Sequence, residues 1–127
     1  MADAIKVLIV EDDKFLSELI STKLSKEGFD VILATDGESG LQKAVSEKPH
    51  IILLDIMLPG MSGFEVLQSL KAHQDKAAAA IPVLILSNFG QESKVKQGLE
   101  LGAKDYLVKA NFTTGEIVEK IKNTLNG

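Results

Sequence analysis

Residues 51–63 read IILLDIMLPGMSG. Four aliphatic residues run straight into a carboxylate, Asp55, and the chain then passes a short apolar segment into Pro59-Gly60. An Ile/Leu run of this length, closed by a turn signal, suits a parallel strand buried on both faces. A carboxylate at the end of such a strand is costly to bury unless something uses it.

Four further apolar runs read as strands on either side of HIILLD (50–55). They are IKVLIV (5–10), FDVILA (29–34), IPVLIL (81–86) and KDYLVK (104–109). Helical patterns lie between and after them. Phe15, Leu16, Leu19, Ile20 and Leu24 form one apolar stripe, with Gly28 placed to stop the helix. Residues 37–47 carry Leu41, Ala44 and Val45. Ser62 and Glu65 make a capping-box pattern ahead of Phe64, Val66, Leu67 and Leu70, and Thr113 and Glu116 repeat it ahead of Ile117, Val118, Ile121 and Leu125. Val95, Leu99 and Leu101 mark a thinner fourth helix ending near Gly102. The segment QDKAAAA (74–80) reads either as an extension of the third helix or as a loop to the fourth strand. Strand followed by helix, five times over, predicts an α/β fold: a five-stranded parallel sheet with helices on both faces.

The length of 127 residues fits a single domain with a real core. Eighteen acidic against fourteen basic residues give a net charge of −4, which argues against nucleic acid as a direct partner. With no cysteine, a disulfide framework and a thiolate metal site are both excluded. The N-terminus lacks the basic start of a signal peptide, and AAAAIPVLIL is too short to span a bilayer, so no membrane insertion and a cytoplasmic location are expected.

In open α/β sheets the ligand crevice lies outside the carboxyl ends of the strands. The first strand ends in Glu11-Asp12-Asp13, the third in Asp55, the fourth in Ser87-Asn88 and the fifth in Lys109. Clustered carboxylates repel unless a cation sits among them, and hard oxygen ligands suit Mg²⁺. An ammonium and a hydroxyl nearby suit phosphoryl oxygens, and the set suggests an aspartate nucleophile that accepts a phosphoryl group. His50 and His73 have no metal-ligand spacing and read as surface or strand-edge residues.

In the segments VLIVEDD, IILLDIMLPGMSGFEVL, PVLILSN and GAKDYLVK, in that order, the chain resembles the receiver domains of two-component response regulators, the CheY-like family. The resemblance covers essentially the whole chain, residues 1–127, with an ordered core of about 4–126. It implies the flavodoxin/CheY-like (βα)5 fold with strand order 2-1-3-4-5. It also implies that Asp55 is the phosphorylated aspartate, and that Glu11 and Asp12 hold Mg²⁺ together with Asp55 and the backbone carbonyl of Met57. Ser87 matches the switch hydroxyl, Tyr106 the switch aromatic, and Lys109 the lysine that pairs with the phosphoryl group. Tyr106 reads equally as a packed strand aromatic. Asp13 is expected to cap the first helix.

Departures from the family pattern carry expectations of their own. Alanine, not proline, follows Lys109. The Lys109–Ala110 bond is expected to stay cis so that Lys109 points at the phosphoryl group, although cis before a non-proline residue costs about 2.5–4 kcal/mol. Asn88 is larger than the usual residue after the switch hydroxyl and either narrows the entrance or adds a hydrogen bond. Met57 and Phe89 occupy the positions that flank the path of the hydrolytic water in the family, which predicts a long-lived phosphoaspartate.

With NTLNG closing the last helix, the chain is expected to be a stand-alone receiver whose output is binding, not turnover catalysis. The resemblance implies a sensor histidine kinase or phosphotransfer protein as donor. It also implies a downstream protein target on the face made by the fourth helix, fifth strand and last helix. Lys104 and the absence of a basic residue after the fifth strand break the charge set used by self-pairing receivers, so a monomer or a weak phosphorylation-dependent dimer is expected. Three rival readings stand beside it. A Mg²⁺-dependent aspartyl-phosphate hydrolase typically has a second acid two residues after the nucleophile, where Met57 stands. A flavin or nucleotide binder needs phosphate donors where EDDK places charge of the wrong sign. A phosphorylation-independent binding module has no need of the acids, Asp55 and Lys109.

Overall fold

Strand β3 (Ile51–Asp55) lies at the centre of the sheet with all five residues buried. The structure is a computed structural model and describes residues 4–127. The elements around β3 are β1 (Lys6–Val10), α1 (Lys14–Lys26), β2 (Asp30–Ala34), α2 (Gly37–Glu47), α3 (Gly63–Lys71), α4 (Lys76–Ala79), β4 (Val83–Ser87), α5 (Glu92–Glu100), β5 (Asp105–Val108) and α6 (Thr114–Asn126). The strands are all parallel in the order β2-β1-β3-β4-β5, as the resemblance implies.

Side chains alternate across each strand, so the nearly all-apolar runs feed two cores. Val7, Ile9, Ile51, Leu53, Leu84, Leu86 and Leu107 pack with Ile20 and Leu24 of α1 and Ile117, Val118 and Ile121 of α6. Leu8, Val10, Ile52, Leu54, Val83, Ile85 and Tyr106 pack on the other face with Ala44 of α2 and Val66, Leu67 and Leu70 of α3.

The helix starts follow their caps. The Asp13 side chain accepts from Leu16 N–H, and Ser62 and Thr113 both close full capping boxes with Glu65 and Glu116. The ambiguous 74–80 segment resolves into the short helix α4, so the described residues form six α-helices and not five. Four residues cannot hold a helix unaided. The Asp75 side chain accepts from Ala77 and Ala78 N–H at one end, and Lys71 Nζ donates to the Ala79 and Ile81 carbonyls at the other, 3.2 and 2.9 Å away. Burial, helped by the neighbouring charge of Lys104, holds the Lys71 ammonium below its ordinary value.

Among the described residues no peptide bond is cis, which corrects the expectation for Lys109–Ala110. The chain turns there through a single 3₁₀ turn, Lys109–Asn111. A trans bond avoids the cis cost, and the long lysine side chain reaches the acids without it. His50 is exposed; its Nδ1 accepts from Lys6 N–H at 3.0 Å at the amino end of the sheet.

Candidate functional site

Three strand ends deliver the charged groups. Glu11 follows β1, Asp55 closes β3 and Lys109 follows β5. Each continues the alternation that sends Ile9, Leu53 and Leu107 to the α1/α6 core, so the three side chains share one side of the sheet edge. Lys109 Nζ stands 2.8 Å from Glu11 Oε1 and 3.2 Å from Asp55 Oδ2. Carboxylate oxygens of Glu11, Asp12 and Asp55 lie within 4.8 Å of one another. Glu11 and Asp55 are buried and Asp12 is exposed, so the cluster opens to solvent on one side.

The carboxylates are only partly satisfied. Glu11 Oε2 accepts from Asp13 N–H at 3.1 Å, and Asp55 Oδ1 accepts from Met57 N–H at 3.3 Å. Glu11 Oε1 is buried, and its only partner among the described residues is the Lys109 ammonium, 2.8 Å away. Burial pushes the Glu11 carboxyl up to about 7, against the pull of the Lys109 ammonium. Burial alone would depress Lys109, yet the Glu11 and Asp55 carboxylates outweigh it and hold the ammonium above its ordinary value. Three carboxylates within 4.8 Å, two of them buried and offset by a single ammonium, are a donor set that fits a hard divalent cation.

Ser87 and Tyr106 are brought together elsewhere. Both are buried, and by strand alternation both fall on the face that carries Ile85. Ser87 Oγ accepts from Phe89 N–H at 3.0 Å, and the Tyr106 hydroxyl donates to the Phe89 carbonyl at 2.6 Å. The Phe89 backbone, through its N–H and its carbonyl, therefore joins the two side chains. That link is invisible in the sequence, since it runs through backbone. Asn88 is exposed and Phe89 half-buried, while Met57, whose N–H bonds Asp55, is 59% exposed.

Sequence reasoning also missed Gly63. A β-carbon there would collide with the Asp55 carbonyl oxygen, and Gly63 N–H donates to the Ile56 carbonyl at 2.8 Å. The first residue of α3 thus packs directly on the backbone that carries Asp55. The Ser-Gly pair after Pro-Gly was the available signal.

A family model described as the response regulator receiver domain matches residues 7–122. The chain is 39% identical over 120 residues to the alkaline phosphatase synthesis transcriptional regulatory protein PhoP of Bacillus subtilis, covering 94% of this chain and 48% of that protein. It is 41% identical over 120 residues to the DNA-binding dual master transcriptional regulator RpaA of Synechocystis, with the same coverage. The chain thus spans about half the length of these curated relatives. Among solved structures, a CheY-like response regulator receiver domain protein from Methanospirillum hungatei superimposes with a TM-score of 0.86 at 30% identity, over 98% of this chain and 95% of that one. Five parallel strands in that order, an acidic cluster at their carboxyl ends and a family match across nearly the whole length agree: the chain belongs to the response regulator receiver domains of two-component signalling.

Proposed function

We propose that Asp55 is the phosphoacceptor of a cytoplasmic signalling switch, supplied by a histidine kinase or a phosphotransfer protein. The observation that carries this reading is the Asp55 carboxylate itself: 4% exposed at the end of the central strand, with Lys109 Nζ 3.2 Å from one oxygen. In the transfer, an Asp55 oxygen attacks the donor's phosphorus, an O–P bond forms, and the N–P bond to the donor imidazole breaks. Lys109, already beside Asp55, would neutralise phosphoryl oxygens, and the Ser87 hydroxyl would move from the Phe89 N–H to bond one of them. Glu11, Asp12, Asp55 and the Met57 carbonyl would hold Mg²⁺, which supplies charge neutralisation for the acids and the transferred group. The test is intact mass after incubation with a small phosphodonor. A single adduct that needs Mg²⁺ and is lost in Asp55→Asn is expected; an adduct that persists in Asp55→Asn overturns the assignment.

Readout is assigned to the face of α5, β5 and α6. Support comes from the weak seating of α5, whose N-cap Gln91 makes no side-chain bond and which buries only Gly98. Phosphorylation draws Ser87 towards the phosphoryl group, and the Phe89 backbone passes the change to Tyr106 and α5.

Met57 and Phe89 tune the lifetime of the phosphoaspartate. Water must reach the phosphorus from the side opposite the Asp55 oxygen, and two large apolar side chains at the approach exclude it. The phosphoryl group is expected to outlast seconds in Mg²⁺ buffer, and Met57→Ala/Phe89→Ala to shorten its half-life at least about tenfold, followed by mass or by radiolabel loss. An unchanged half-life in the double variant would remove both residues from this role.

A further inference from the structure

Helix α5 packs on the core through the half-buried Val95 and through a buried residue that has no side chain, Gly98. A β-carbon built on Gly98 would lie 2.5 Å from Ile85 Cδ1, 3.1 Å from Tyr106 Cδ2 and 3.5 Å from Phe64 Cε1. The first distance is shorter than real β-carbons tolerate, so the Ile85 side-chain end must move, and the second asks the ring or the helix to give by a few tenths of an ångström. Glycine is also the poorest helix former after proline. In a helix with so little else to hold it, the worst helix former sits at the point of closest approach to the sheet.

Tyr106 is tied to the same segment twice. Its ring edge lies under Gly98 near the end of α5, and its hydroxyl donates to the Phe89 carbonyl, 2.6 Å away in the loop that enters α5. The Phe89 N–H in turn donates to Ser87 Oγ at 3.0 Å. The position of the ring and the height of the helix above the sheet are thus set by one another.

We propose that Gly98 is a positioning residue of the switch: its missing side chain lets the α5 backbone seat on the inward Tyr106 ring, so that ring and helix move as one. The proposal rests on the reading above that Tyr106 and α5 carry the phosphorylation signal. A methyl group at position 98 turns the flexible Cδ1 end of Ile85 aside and asks a few tenths of an ångström more of the Tyr106 ring or of the helix. Either shift loosens the pairing.

The chain has one tyrosine and no tryptophan, so its tyrosine emission reports on Tyr106 alone. Gly98→Ala is compared with Gln97→Ala, an exposed position of the same helix where alanine raises helix propensity without meeting the ring. In Gly98→Ala, acrylamide quenching of the tyrosine is expected to rise at least twofold, or amide exchange across residues 94–101 at least tenfold; Gln97→Ala does neither. Unchanged quenching together with unchanged or slower exchange in Gly98→Ala would mean that the glycine merely weakens the helix, and overturns the proposal. Should Gly98→Ala not fold, Gly98→Ala/Ile85→Val removes the nearest atom and is read by the same two outcomes. Phosphoryl uptake at Asp55, read by mass, is expected to match wild type in Gly98→Ala, because α5 supplies no residue of the acidic cluster. Failure of wild type itself to take up the group defeats the phosphoacceptor reading and leaves the Tyr106 result to judge Gly98 separately.

Discussion

Replacing Lys109 with alanine is expected to lower the stability of the metal-free protein by about 3–5 kcal/mol at pH 8, the usual consequence of removing one partner from a buried ion pair. Lys109 Nζ stands between two buried carboxylates, 2.8 Å from Glu11 and 3.2 Å from Asp55, with only 16% of its side chain exposed. Without it both carboxylates keep their desolvation penalty and gain mutual repulsion. The loss should shrink on acidification, because an unpaired Glu11 takes up a proton even more readily than in the wild type. It should also shrink in millimolar Mg²⁺, which puts positive charge back among the same acids. Urea unfolding with a chelator, at pH 8 and pH 5.5, measures both. A loss below about 1 kcal/mol at pH 8 would show that the three groups behave as an exposed, screened set.

The second large effect is a pH dependence that belongs to Glu11. Its carboxyl is pushed up to about 7 in the folded protein from an ordinary 4.5, chiefly by burial. The folded state therefore binds a proton that the unfolded state has released over the interval between those values. The stabilisation is fully present below 4.5 and is lost as pH rises through about 7. The shift is worth on the order of 3 kcal/mol at one pH unit per ~1.4 kcal/mol. Metal-free wild type is expected to be less stable at pH 8 than at pH 5 by about that amount on this account. Glu11→Gln should flatten the slope, and the comparison between the two proteins cancels every other titrating group that the substitution leaves alone. Parallel pH profiles for wild type and Glu11→Gln would show that the burial of Glu11 has no energetic consequence. Saturating Mg²⁺ should abolish the wild-type slope, since a cation favours the ionised carboxylate that burial disfavours.

Much of the fold was legible because its signals are local. The Ile/Val/Leu runs of β1, β3 and β4 are buried on both faces, as runs without alternation should be. The capping residues Asp13, Ser62 and Thr113 sit where the sequence places them. The short α4 was not legible, because four residues of alanine-rich chain have no period to read. Its helix exists through Asp75 at one end and Lys71, a residue of α3, at the other.

For the site, the residue types at the strand ends were readable one by one, and parallel topology alone implied that Glu11, Asp12, Asp55 and Lys109 converge. The cis expectation failed because it treated the direction of Lys109 as a backbone property, whereas a trans bond and a flexible side chain deliver the ammonium to both acids.

By itself the sequence determined which residues are strands, which carry charge, and that the charges collect at one edge, since these follow from composition, period and the rule for parallel sheets. Tertiary structure alone decided that Glu11 is the acid whose proton is held, because burial is set by what covers a residue and not by its neighbours in the chain. It alone decided that Ser87 and Tyr106 meet through the Phe89 backbone, and that α5 rests on Tyr106 through Gly98. Those contacts run through backbone atoms and a missing side chain, which sequence pattern does not record.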